Sequence, residues 1–373
     1  MTDPNFPATG LQIRPSNAAV QSDEAGAWDV VDSAEDIKSF GIAGRVWEAA
    51  YAARRYFREA AEPSHLDLDP ITSLFSEDVG GPITILELGA GAGYGGLHLC
   101  KCLELHAQRR RKEQGEGGPK VASVQGGKDV RPRVLLTDLP NVLPLLDRNI
   151  AQAQASDKTL ADHVDVQAWP CAWGDEEQAQ DILRYLSTST PTPVLTHLLA
   201  ADLVYFPELF PPLLRSLLWL TEPVNLEDST PATPEVIFTY KVRSLVKEQP
   251  FWAAFGSWFQ FEAVLCRRKF DPAQKGEGEE SEWRRFGERR SDVSLAIMPT
   301  SEKQDDGDED SDQQVYVFLA RRRPCTFGWT APKDDQALMY GRRERTEATT
   351  GEVLVATELD DTFEMLLLNS IGL

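Results

Sequence analysis

Three segments of this chain carry residue types that could hold or transform a ligand. In Glu87-Leu88-Gly89-Ala90-Gly91-Ala92-Gly93 an acidic residue leads into a glycine-dense turn. Bare backbone there lets a ligand approach closely. Asp138 ends the apolar run Val134-Leu135-Leu136-Thr137, and Asp202 ends the run from Val194 to Ala201, with Tyr205 three residues on. A carboxylate in the position of Asp138 can accept hydrogen bonds from both hydroxyls of a ribose. No Ser-His-Asp, Cys-His or CxxC arrangement accompanies them. His98 and Cys102 lie four apart on one helical face, but without a second ligand pair they do not make a metal site. No metal is expected.

Groups like these need elements that bring them together. Ile83–Leu88, Val134–Asp138, Val164–Ala168, Val194–Ala201 and Val236–Tyr240 read as short buried strands. Helical patterns fall between them, from Gly41 to Tyr51, after Gly96, from Pro140 to Ile150 and from Leu209 to Leu220. Phe259–Cys266 and Val315–Ala320 read as a closing antiparallel pair. This alternation predicts an α/β fold, a mostly parallel sheet with helices on both faces. In such a sheet ligands bind at the carboxyl ends of the strands, where the glycine turn, Asp138 and Asp202 all fall.

Gly91-x-Gly93-x-x-Gly96 satisfies the dinucleotide fingerprint, as an NAD(P)-dependent oxidoreductase would. In a region this rich in glycine the match is weak. No arginine or lysine lies near the turn to meet a pyrophosphate, which favours a nucleoside without phosphates. A non-catalytic module that keeps the cofactor fold is the other alternative.

The 373 residues fit one large domain with extensions, and 42% hydrophobic content is enough for a substantial core. The net charge of -21 argues against nucleic acid as the main partner and suits a lysine-rich one. Five scattered cysteines show no disulfide framework, and no run of 18 apolar residues occurs. A cytoplasmic protein is expected, with the nucleus as an alternative and no membrane association. Residues 1–40 read as a loosely ordered segment. Low-complexity insertions are expected near 108–131 and 271–313, the latter with an acidic stretch at 301–313. Arg109-Arg110-Arg111-Lys112 reads as solvated loop charge. Residues 324–373 read as an extension whose end, Phe363 to Ile371, docks as a short helix.

The order of these motifs resembles one family closely. Gly41-x-x-Gly44-x-Val46-Trp47-Glu48-Ala49-Ala50, Leu86-Glu87-Leu88-Gly89-Ala90-Gly91-x-Gly93, Thr137-Asp138-Leu139-Pro140 through Asn149, Ala172-Trp173-Gly174 and Ala201-Asp202-Leu203-Val204-Tyr205 are similar to family 16 of the S-adenosylmethionine-dependent methyltransferases. These are seven-β-strand protein-lysine methyltransferases, several acting on elongation factor 1A or on chaperones. The resemblance spans roughly residues 40–322 and departs from the family in the two insertions and the extension. It implies a Rossmann-like seven-stranded sheet, S-adenosyl-L-methionine as cofactor and a protein substrate, plausibly a translation elongation factor. It also implies roles for single residues. Trp47 would pack near the methionine end, Gly89, Ala90 and Gly91 would line the carboxypropyl side, and Asp138 would bind the ribose. Trp173 would flank the adenine with Ala201 beneath it. Asp202 and Tyr205 would face the accepting nitrogen and orient it by hydrogen bonds, because a lone carboxylate would favour the unreactive ammonium.

Overall fold

The computed structural model describes residues 33–62, 64–76, 82–115, 131–188, 194–223, 233–269, 282–288, 315–347 and 349–371. Twelve strands are present among them: β1 Leu66–Asp69, β2 Thr84–Leu88, β3 Arg133–Asp138, β4 Asp165–Pro170, β5 His197–Ala201, β6 Glu235–Lys241, β7 Phe259–Ala263, β8 Leu265–Arg268, β9 Arg284–Arg285, β10 Val315–Arg322, β11 Arg342–Thr346 and β12 Val353–Thr357. Seven of them form the central sheet, in the order β4-β3-β2-β5-β6-β10-β7. The first five run parallel, and β10 and β7 close the sheet in antiparallel pairs.

Side chains alternate across this sheet, as a strand period of two requires. Ile85, Leu199, Ile237 and Val317 face one apolar layer, built with α2 (Glu48–Ala61), α3 (Tyr94–Gly115), α4 (Leu143–Ser156) and α5 (Leu160–His163). Leu86, Leu198, Phe238 and Phe318 face the other. That layer is built with α6 (Glu176–Thr188), α7 (Phe210–Leu220), α8 (Leu245–Trp258), α9 (Asp335–Met339) and α10 (Thr362–Ile371). The expected doubly covered α/β sheet is therefore present. The expectation that Phe363–Ile371 forms a docking helix is met by α10, whose Phe363 is fully buried.

Several expectations need correction. Gln108–Gly115 is not loop but the end of α3, and Arg109–Lys112 lies on that helix. Glutamine, arginine, lysine and glutamate are good helix formers, so charge alone did not mark a helix end. The remainder of that insertion, 116–130, lies outside the described residues, as do 1–32 and the acidic 301–313. Within the supposedly loose first 40 residues, Ala34–Phe40 forms α1, capped by the Ser33 side chain, which accepts from the Asp36 N–H at 3.1 Å. Within the second insertion, Arg284–Arg285 pairs with β8, which pairs with β1 in a separate three-stranded sheet. Among the described residues no helix is long and apolar enough to cross a membrane, and no group of three or more His, Cys, Asp or Glu side chains could hold a metal.

Candidate functional site

The glycine turn follows β2 directly and is tied to the neighbouring strand. Ala90 N–H donates to Thr137 O at 2.9 Å, and Thr137 Oγ1 donates to Glu87 O at 2.8 Å. Gly89 and Gly91 have φ of 65° and 54°, the left-handed region that glycine enters freely. Space matters as much as conformation. A Cβ on Gly89 would lie 2.9 Å from both the Trp173 ring and the Leu203 side chain, and one on Gly91 would lie 3.0 Å from Ala43 O. On α4, Asn149 Nδ2 donates to Ala92 O at 2.8 Å and fixes the far side of the turn.

Asp138 ends β3 beside this turn. Its Oδ2 accepts from Gly91 N–H and its Oδ1 from Leu139 N–H, both at 2.7 Å. Each oxygen keeps a second lone pair for another donor. Burial pushes the Asp138 carboxyl up to about 6, and those two N–H groups work against the rise. Glu87 is buried deeper. Its Oε2 accepts from Gly96 N–H at 2.9 Å, and burial pushes its carboxyl up to about 8. Side chains at Gly95 and Gly96 would collide with that carboxyl, at 2.7 Å and 2.4 Å.

Across the cavity, Ala201 ends β5 and Asp202 turns the chain with φ 64°, unusual for a residue with a side chain. Asp202 N–H donates to Thr239 O at 2.8 Å. Tyr205 lies between Trp173 and Phe206, with ring centroids 6.1 Å and 4.8 Å away. Burial, then the Asp138 and Asp202 carboxylates, hold its hydroxyl above the usual tyrosine range. Trp47 is not within a helix, as its spacing suggests, but is the extended residue just before α2 and makes no side-chain cap to it. Its Nε1 donates to Ile42 O at 2.9 Å, and the Arg45 guanidinium lies over its ring at 4.5 Å.

All nine expected site residues, Trp47, Gly89, Ala90, Gly91, Asp138, Trp173, Ala201, Asp202 and Tyr205, line one pocket of about 260 Å³. Sequence reasoning missed Arg243, which also lines it. Arg243 Nη1 donates to Asp202 Oδ1 at 2.6 Å and Nη2 to Oδ2 at 2.5 Å. Forty-one residues separate the two partners. Nothing in their local patterns announces the pair.

A family model described as lysine methyltransferase matches residues 29–110 and 118–255, more than half of the chain. The chain belongs to the lysine methyltransferase family. It is a methyltransferase with S-adenosylmethionine as its methyl donor. No curated protein matches the sequence. Among solved structures, a likeness is found to the rRNA methyltransferase aviRa from Streptomyces viridochromogenes, at 16% identity over 57% of this chain and 84% of that one. Its TM-score is 0.28, too low to bear on the reading of this site.

The pocket suits the methyl donor. Asp138 has lone pairs left for two ribose hydroxyls, and the Trp173 ring beside Gly89 offers an apolar wall for an adenine. Arg45, which also lines the pocket, has its Nε buried without a hydrogen-bond partner. The positive charge of its guanidinium at the pocket wall suits the carboxylate of an amino-acid tail.

Proposed function

We propose that this methyltransferase acts on the side-chain nitrogen of lysine in a protein. One observation carries the reading: a single pocket holds the nucleoside-type wall at the glycine turn, Asp138 and Trp173, and a polar end at Asp202 and Tyr205. The family's description as lysine methyltransferase supports the choice of nitrogen. The charge of -21 supports a lysine-rich protein over a nucleic acid.

When bound, S-adenosylmethionine supplies an electrophilic methyl on a sulfonium. The rest is positioning by the chain, and orientation of this kind contributes at most about 7–11 kcal/mol. Asp138 would hold the ribose, Gly89, Ala90 and Gly91 would line the carboxypropyl side, and Trp173 would flank the base with Ala201 beneath it. Trp47 and Arg45 contain the amino-acid end. Tyr205 and the Asp202 carboxylate orient the incoming nitrogen so that its lone pair points at the methyl.

The test incubates the protein with S-adenosylmethionine carrying a labelled methyl and a cell lysate, and purified elongation factor 1A is tested in parallel. Labelled protein is expected, with mass spectrometry placing the methyl on lysine. Label on RNA, or on arginine alone, would overturn the reading. S-adenosylhomocysteine binding with no labelled acceptor would favour a non-catalytic module.

A further inference from the structure

We propose that Arg243 makes the acceptor end of the pocket select a neutral amine: by holding both oxygens of Asp202, it keeps that carboxylate from receiving a lysine ammonium. The inference rests on the reading of Asp202 and Tyr205 as the acceptor end.

The pair is built as a fixture. The Asp202 side chain is 1% exposed, and a bidentate guanidinium contact of this kind has little orientational freedom. Arg243 is itself pinned. Its N–H donates to Glu248 Oε2 at 3.1 Å, its Nη1 also donates to Lys241 O at 3.2 Å, and its guanidinium lies over Trp47 at 5.5 Å. The other charges around it are matched as well. From α2, Glu48 meets Lys241 at 3.2 Å, Arg45 at 3.3 Å and Arg243 at 3.6 Å. From α8, Glu248 accepts from the Tyr240 hydroxyl. From β3, Asp138 is taken by Gly91 and Leu139 N–H groups. Tyr205, the remaining titratable group, has a hydroxyl that stays protonated.

A lysine ammonium entering here would leave water and meet a guanidinium in front of the carboxylate it needs. Desolvation and a like charge both favour loss of its proton. The proton leaves to solvent before the nitrogen docks. The amine lone pair then forms the C–N bond as the C–S bond breaks, and that electron pair stays on sulfur. The methylated nitrogen carries the positive charge out. Asp202 without Arg243 would do the opposite and stabilise the unreactive ammonium.

The test uses n-butylamine as a lysine side-chain probe, titrated by NMR into the full chain saturated with S-adenosylhomocysteine, from pH 7 to 10. If only the neutral form binds, affinity rises about tenfold per pH unit, following an amine pKa near 10.4. That slope is expected for the wild type. It is also expected for Asp202→Asn, which has no carboxylate to offer. For Arg243→Gln the slope should fall below about threefold per unit, because the freed carboxylate takes the cation. Equal slopes in wild type and Arg243→Gln, with both folded, would overturn the proposal, as would a shallow wild-type slope or no wild-type binding. If Arg243→Gln does not fold, a steep wild-type slope that Asp202→Asn leaves unchanged still supports it, and a slope that appears only in Asp202→Asn overturns it. S-adenosylhomocysteine affinity on the same samples separates the outcomes. Its loss in the wild type undoes the cofactor site, whereas intact affinity with equal slopes undoes only the role of Arg243.

Discussion

Asp138 has two roles in the proposed site, and they diverge below about pH 6. As an anchor of the glycine turn it needs only to accept from Gly91 and Leu139. As the holder of ribose hydroxyls it must be ionised. Its carboxyl is pushed up to about 6 in the free protein, and hydrogen bonds from the ribose would stabilise the ionised form and lower that value in the complex. Affinity for S-adenosylhomocysteine is therefore expected to be full above about pH 6. Below it, affinity should fall by up to about tenfold per pH unit as the proton must first be removed. Asp138→Asn should abolish this dependence and weaken binding at least about tenfold at pH 7.5, since a hydrogen bond to a charged group contributes about 1.5–3 kcal/mol. Calorimetry from pH 5 to 8, with thermal unfolding as the fold control, checks both. A flat wild-type profile would leave Asp138 as a turn anchor alone.

The element that closes the pocket is the chain from α1 into α2. Arg148 on α4 grips Asp36 with two hydrogen bonds of 2.9 Å. The Asp36 backbone lies so close to Gly44 that a Cβ there would sit 2.3 Å from its carbonyl oxygen. Ala43, one residue earlier, abuts Gly91. One ion pair, open to solvent on its Arg148 side, thus ties the segment before α2 towards the glycine turn. Such a pair adds little to global stability, about 0–1 kcal/mol. Arg148→Ala should barely move the urea midpoint yet weaken S-adenosylhomocysteine three- to tenfold, mainly through faster dissociation in stopped-flow. Unchanged dissociation would mean that other contacts suffice to keep the segment in place. The sequence carried the glycines of this closure but not its lock. Gly41, Gly44 and the turn are local signals, whereas Asp36 and Arg148 are 112 residues apart. The same limit explains Arg243. It also explains the small sheet of β1, β8 and β9, whose first pairing joins residues such as Asp67 and Arg267. By contrast the parallel strands β2, β3, β5 and β6 were legible, because they are buried almost throughout and so read as apolar runs.

At the scale of the whole molecule, the matched family region ends at residue 255, inside α8, yet the fold does not close there. β7 and β10 complete the sheet, and the extension beyond them covers the second apolar layer. Phe363 stacks on Trp252 at 5.2 Å with the planes 19° apart and meets Tyr240 edge-on at 6.0 Å. Arg323 donates to Asp360 at 2.8 Å, and Gly256 leaves the room that the Asp360 side chain fills. The extension is thus part of the core, and it leads back to the pocket. Tyr240 donates to Glu248, which also receives the N–H of Arg243, and Arg243 holds Asp202. Phe363→Ala removes a fully buried ring from this aromatic cluster, for which truncation costs about 3–5 kcal/mol. Urea unfolding should show a loss of that size with the m-value unchanged. At a temperature where the variant stays folded, S-adenosylhomocysteine affinity should hold within about threefold, because Asp138 and the glycine turn are held by hydrogen bonds among β2, β3 and α4. Methyl transfer should fall more than binding does, because Tyr240 is the neighbour whose hydroxyl helps fix Glu248 against Arg243. A variant of wild-type stability would make α10 a surface ornament. A loss of stability with transfer and binding falling in step would confine the extension to holding the core.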